Sequence, residues 1–307
     1  MTRDILQPAP AHAVRDARYK TEAHILPSLG NVKISSLSPE RLRHWRDSLA
    51  RAPARVRTRP GEQQNHRAAG DARSRRATVN RIWATLRAAL NHAFAAGKIE
   101  TDVQWRQVRP FKGVTSARAR YLSLAEAKRL INACPPEFRL LVQAALQTGC
   151  RYSEIARLHA HDFNPDARTV AIRQSKVGKA RHVVLTDEGA QFFAGLAAGR
   201  SGGDLLFRRP NGEPWGTANQ QHPMQQACER AKIVPRITFH GLRHTWASLA
   251  VMNGVPLMVV AKNLGHADTH MVEHFYGHLA PSYVADAIRA GAPRFGRIGA
   301  GNIRPLR

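Results

Sequence analysis

Cysteine is scarce in this chain. Cys134, Cys150 and Cys228 are the only three in 307 residues, and none sits in a CxxC spacing. An odd, widely spaced set makes no disulfide framework and suits a reducing compartment. Long apolar runs are also lacking. No stretch approaches the roughly 18 residues of a spanning helix, and the start of the chain, MTRDILQPAPAH, has no apolar signal-peptide core. Acidic residues are few, 22 against 47 basic ones. Lysine is rare even among those, with nine lysines and 38 arginines. A lysine in a suggestive place therefore carries more information than usual.

What remains is a strongly basic chain that is 43% hydrophobic, with a formal net charge of +25. Such an excess repels itself unless a polyanion is near, so nucleic acid is the leading partner. An anionic membrane surface is the rival, but the basic residues are not gathered on one amphipathic anchor. The charge is denser early. Residues 1–120 hold 24 basic against 9 acidic residues, and residues 121–307 hold 23 against 13. The expected location is cytoplasmic and nucleoid-associated, with no membrane partner.

The length suits two domains of ordinary size. After a leader, residues 1–14, the reading is a helical unit over 15–112. Pro39 and Glu40 after Ser36 and Ser38 mark a helix start. Residues 51–77 hold eight arginines, two prolines and two glycines without apolar periodicity. They read as a long basic loop, ordered on a polyanion. From Thr78 to Ala96 the apolar residues Val79, Ile82, Leu86 and Leu90 recur at helical spacing, with Gly97 as the stop. Residues 113–120 form a linker, 121–290 a second domain, and 291–307 a Gly-rich basic tail. In the second domain Ser123 and Glu126 make a capping box. A helix over 137–147 breaks at Thr148-Gly149, and another starts near Arg151. Residues 168–173 and 181–186 are β-branched strands of a hairpin. Helices are expected near 187–198, 217–232, 241–253, 256–263 and 280–290. The fold class is mainly α with a small antiparallel β-hairpin or sheet, a helical domain followed by an α+β domain.

Several residues have the chemistry to act on a phosphate. His240 and Arg243 lie three apart at a helix start, where backbone N–H groups add partial positive charge. Arg151 follows the Thr-Gly break, with Glu154 one turn later. Alone, that pair reads equally well as a surface ion pair. Lys176 and Lys179 occupy the hairpin turn. Tyr276 is a poor nucleophile at its ordinary pKa unless positive charge favours its phenolate. Two metal readings compete. His240 and His244 are four apart, but Gly241 stands where a zinc-hydrolase motif needs glutamate. His266, His270, His274 and His278 recur every four residues, bracketed by Gly265 and Gly277. We treat that ladder as coincidence, and the neighbouring histidines 244, 270, 274 and 278 as bystanders.

Taken in order, Thr148-Gly-Cys-Arg151-Tyr-Ser-Glu-Ile, Lys176 in a hairpin, His240-Gly-Leu-Arg243-His-Thr, Leu264-Gly-His266 and Tyr276 resemble the tyrosine recombinase (phage integrase) family, over roughly residues 15–290. Each motif alone is weak, and the ordered set is specific. The resemblance implies a site-specific DNA recombinase that cuts and rejoins DNA through a 3′-phosphotyrosine, with no metal or nucleotide cofactor. Arg151 and Arg243 would clamp the scissile phosphate, with His240 and His266 adding hydrogen bonds. His240 would also help take the tyrosine proton. Lys176 would protonate the leaving 5′-oxygen, Tyr276 would attack, and Glu154 would support. Contacts to the DNA backbone are expected from Arg55, Arg57, Arg59, Arg73, Arg75, Arg76, Arg81, Lys179 and Arg181. The implied partners are double-stranded DNA, three further copies of the chain in a tetramer on DNA from a monomer in solution, and an accessory DNA-bending protein. The tail 291–307 would dock on a neighbouring copy. A type IB topoisomerase-like enzyme and a catalytically silent DNA-binding protein are the alternatives.

Overall fold

Side-chain caps set where several of the helices begin. The computed structural model describes residues 11–56, 58, 59, 61–68, 70–114, 120–173, 180–266, 268–279 and 288–293. The chain divides into two compact units, Met1–Ser116 and Ala117–Arg307.

In the first unit α1 (Ala11–Lys20) runs through a π-helical turn, Thr21–Ile25, into α2 (Leu26–Leu29). Ser38 caps α3 (Pro39–Arg51) by accepting a hydrogen bond from the Arg41 backbone. Asp71 caps α4 (Ala72–Ala95) by accepting from the backbones of Arg73 and Ser74. A short α5 (Val103–Arg106) follows. One apolar face of each long helix meets the other through Leu42, Trp45, Ile82, Trp83, Leu86 and Leu90, and Trp105 completes this core. The Nε1 of Trp105 donates to Asn91 at 2.7 Å, which satisfies its one polar atom.

Helix α4 starts six residues before the expected Thr78. Its first turns are solvent-facing, so no apolar periodicity marks them, and Asp71 is the signal in their place. The basic loop is correspondingly shorter than 51–77, and it is paired on itself. The Val56 backbone donates to Asn65 at 2.9 Å, and that of Arg67 to Ala54 at 2.8 Å. Arg55 and His66 face each other across this antiparallel pairing. The loop thus carries backbone pairing of its own among its described residues.

In the second unit the capping box of Ser123 and Glu126 opens α6 (Leu124–Ala133), as read from the sequence. Helix α7 (Pro136–Thr148) stops at Gly149, and a single turn, α8 (Tyr152–Ile155), follows. A three-stranded antiparallel sheet comes next: β1 (Phe163–Asn164), β2 (Thr169–Ile172) and β3 (Arg181–Val184), in that order. Val170 pairs with Val183, and both are buried. The two-residue β1 was not foreseen, being too short to alternate. The remaining helices are α9 (Asp187–Ala197), α10 (Gln221–Arg230), α11 (Phe239–Met252), α12 (Leu257–Leu264) and α13 (His270–Tyr276).

Most apolar side chains of α6 to α10 join one core with the sheet. A second cluster joins α11, α12 and α13 through Ala247, Val251, Val260, Leu264, Val272 and Tyr276. Most of the helix expected over 280–290, and nearly all of the tail 291–307, lie outside the described residues. Among the described residues no helix is long and apolar enough to cross a membrane.

Candidate active site

The break after Thr148 is a joint built on backbone geometry. Gly149 has φ +67°, a left-handed conformation that favours glycine. A Cβ there would lie 2.7 Å from the Trp246 ring, so packing also demands glycine. The turn delivers Arg151 to the N-cap position of α8.

Glu154, buried one turn later, organises the arginines around it. Its carboxylate accepts from the Arg151 backbone at 2.9 Å and from Arg151 Nη1 at 2.9 Å. It also accepts from Arg181 at 2.8 and 3.1 Å, a two-pronged pairing. Burial opposes charge on this carboxyl. The hydrogen bonds from Arg181 and Arg151 outweigh it and hold the pKa below the usual carboxylate value. Arg181 Nε donates to the Asn263 carbonyl at 2.9 Å. With its side chain only 10% exposed, Arg181 is a strut and not the DNA contact expected of it.

Arg243 is buried on α11. It donates to the carbonyls of Gly149 at 3.0 Å and Leu264 at 2.7 Å, the ends of α7 and α12. Its Nη2 also lies 2.9 Å from His266 Nε2. Arginine has no acceptor, so His266 accepts there and carries its proton on Nδ1. That Nδ1 is buried without a hydrogen-bond partner among the described residues. Burial, then the charge of Arg151, lowers the Arg243 pKa to about 10, so it stays cationic at neutral pH.

The histidines feel the same field. Burial, then Arg243, Arg151 and Arg181, lower His266 to about 4. His240 keeps a solvent-facing edge. Even so, the protein packed around its ring, then Arg243, Arg151 and His266, lower its pKa. The cluster is therefore a concentration of positive charge in which Glu154 offsets Arg151, Arg181 and Arg243. Arg151 gives only Nη1 to Glu154. Among the described residues no hydrogen bond engages its Nε or Nη2.

Tyr276 ends α13 and is 3% exposed. Burial raises its pKa to about 12, against the pull of Arg243. Its hydroxyl lies 2.5 Å from Nδ1 of His244, a residue set aside on sequence grounds. That contact corrects the reading of His244 as a bystander. Among the described residues no hydrogen bond joins His240 to the tyrosine. The signal was faint, since His244 precedes its partner by 32 residues.

Other expectations divide. The structure brings Arg151, Glu154, His240, Arg243, His266 and Tyr276 together within the second unit. Lys176 and Lys179 lie outside the described residues, as does Arg57. In the first unit Arg75 donates to the carbonyls of Leu49 and Ala52 and helps close the end of α3, so its Nε is not free for a phosphate. Arg55 is engaged by Gln64 and the Ala23 carbonyl, and Arg73 pairs with Asp71. Arg59, Arg76 and Arg81 remain exposed. The histidine ladder does not bring three ligand atoms together among the described residues. His266 precedes α13 and faces Arg243. The group that does is His159, His161 and Asp162, whose carboxylate is paired with Arg173 at 2.5 Å.

The profile described as the phage integrase family matches residues 120–282. The integrase of Salmonella phage P22 is 31% identical over 183 residues, covering 56% of this chain and 47% of that protein. The chain spans about half the length of the curated relatives it matches. Among solved structures, the Tn1549 transposon integrase in complex with transposon right end DNA gives a TM-score of 0.71 at 16% identity, covering 94% of this chain and 96% of that one. A lambda integrase tetramer bound to a Holliday junction gives 0.68 at 18% identity, covering 88% and 73%. The profile alone covers more than half of the residues, and the chain belongs to the phage integrase family.

Proposed function

We propose that this protein is a site-specific DNA strand transferase that exchanges strands between two duplexes through a 3′-phosphotyrosine. The observation that carries the reading is electrostatic. Burial, then the nearby charge of Arg151, lowers the pKa of Arg243, and among the described residues the carboxylate that offsets these two guanidiniums is Glu154. A phosphodiester seated there would supply the missing negative charge beside a buried tyrosine.

In the proposed reaction the two guanidiniums clamp the non-bridging oxygens and stabilise charge growing in the transition state. His240 and His266 add hydrogen bonds. The Tyr276 oxygen attacks phosphorus, the phosphorus–O5′ bond breaks, and Lys176 gives its proton to the leaving oxygen. The covalent link stores the energy of the broken bond, and a 5′-hydroxyl of the second duplex reverses the step. Glu154 supports Arg151. Arg59, Arg76 and Arg81 of the first unit contact backbone phosphates. The enzyme works in the cytoplasm on the nucleoid, as a tetramer assembled on DNA. That lambda integrase forms a tetramer on a Holliday junction supports this assembly.

The test is Tyr276→Phe. Incubated with a pool of random-sequence duplexes, the wild-type protein gives a covalent adduct that survives detergent. The variant binds the same DNA and gives none. A wild-type-like adduct from the variant overturns the assignment. Sequencing the trapped DNA identifies the target site.

A further inference from the structure

His244 sits at the centre of a small aromatic box. Its ring meets His240 edge-on at 4.9 Å between centroids, Phe275 at 5.8 Å and Tyr276 at 5.9 Å. The spacing of His240 and His244, four residues apart on α11, puts both on one helix face. Tyr276 approaches from α13, and its hydroxyl ends 2.5 Å from His244 Nδ1. That is hydrogen-bond length for a phenol against an imidazole nitrogen. A ring held from three sides has little freedom to turn away. This is the geometry a general base requires, within reach of the proton it removes.

We propose that His244, not His240, receives the hydroxyl proton of Tyr276 during strand cleavage and returns it during rejoining. The inference rests on the strand-transfer reading above. Nδ1 must present its lone pair to the hydroxyl, so the proton of neutral His244 is on Nε2. On cleavage the Oη–phosphorus bond forms, the phosphorus–O5′ bond breaks, and the Oη proton passes to Nδ1. The leaving O5′ takes its own proton from the general acid, Lys176. On rejoining, Tyr276 is the leaving group and Nδ1 gives the proton back. No further reactant is needed, and the two directions use the same atoms.

The arrangement would also keep the nucleophile quiet without DNA. The titratable or charged groups bearing on the His244 ring are His240 and Arg243 from its own helix and Tyr276 from α13. Burial, then His240 and Arg243, lower His244 to about 4. Burial keeps Tyr276 near 12. In the free protein the proton therefore stays on the tyrosine. A phosphodiester docked on Arg151 and Arg243 offsets their charge and favours an imidazolium at His244. Substrate binding itself thus makes the base competent.

The experiment measures single-turnover cleavage of a nicked duplex carrying the trapped target sequence, across pH 5.5 to 9.5, for wild type, His244→Asn and His244→Ala. Asparagine keeps an acceptor near the hydroxyl but takes no proton. Wild type should be flat with pH above the His244 titration. Both variants should lose about 100-fold or more at neutral pH, a typical general-base contribution. Their rates should climb about tenfold per pH unit, as solvent hydroxide takes over from a tyrosine of high pKa. DNA affinity, measured in parallel, should be unchanged, which separates lost chemistry from lost fold. A His244→Asn enzyme with wild-type rate and a flat profile overturns the inference while leaving strand transfer intact. A wild-type protein that forms no adduct overturns the strand-transfer reading itself.

Discussion

Glu154 grips Arg181 with both carboxylate oxygens, at 2.8 and 3.1 Å, in a place where neither side chain is more than 10% exposed. An arginine on β3 is thereby locked to the short helix at whose N-cap Arg151 stands. Breaking one side of a buried pair leaves an uncompensated charge.

Arg181→Met should therefore cost about 3–5 kcal/mol of folding stability. Lysine should recover little of it, because an ammonium does not match the two carboxylate oxygens. The double variant Glu154→Gln/Arg181→Met should regain part of the loss. Urea denaturation of the four proteins checks this. If Arg181→Met is as stable as wild type and instead lowers the salt dependence of DNA binding, the residue is a phosphate contact after all.

Gly149 is where backbone and packing make the same demand. Its positive φ and the nearby Trp246 ring both exclude a side chain. Gly149→Ala should cost more than about 2 kcal/mol. Its carbonyl also accepts from Arg243, so the shift should reach the site. Thermal melting gives the first effect and adduct yield at permissive temperature the second. A variant with unchanged melting would show that the joint is looser than described.

Acid should destabilise the second unit through its histidines. His244 and His266 fall from the ordinary 6.5 to about 4 on folding. The unfolded chain then binds more protons than the folded one between those values, so stability drops as pH falls from 6.5 towards 4. Glu154 acts in the same direction at lower pH. Its depressed pKa contributes stability that is present above the unfolded carboxylate value and lost as pH falls through the folded one. Melting curves from neutral pH to about 4 should show the decline, and His266→Asn should flatten its upper part. A melting temperature constant over that range would contradict the burial of these rings.

Much of the site was legible because its residues are set by local signals. The Thr-Gly break, Arg151 and Glu154 form one short motif, and a capping box and a glycine stop bound the helices beside it. What escaped reading depends on contacts across the chain. Arg181 looks like any basic strand residue until Glu154 closes on it. His244 was judged against His240, its sequence neighbour, as a metal pair, whereas its partner is Tyr276 on another helix. Helix α4 was read late because an exposed first turn needs no apolar residues, and β1 was missed because two residues show no alternation. In the basic loop, composition suggested disorder, while backbone pairing between Val56 and Asn65 is invisible to composition.

Arg243 hydrogen-bonds the last carbonyls of two helices, at Gly149 and Leu264, and a histidine besides. One guanidinium is thus a keystone, and in the proposed reaction a reagent as well. An alteration there removes an architectural tie before it removes any chemistry, so inactivity of an Arg243 variant is poor proof of a catalytic role. Arg151, whose side chain is fastened to Glu154 by a single nitrogen, is the better residue on which to separate the two. A lysine in its place would loosen the corner on which three helices meet, because an ammonium cannot span both carbonyls as the planar guanidinium does.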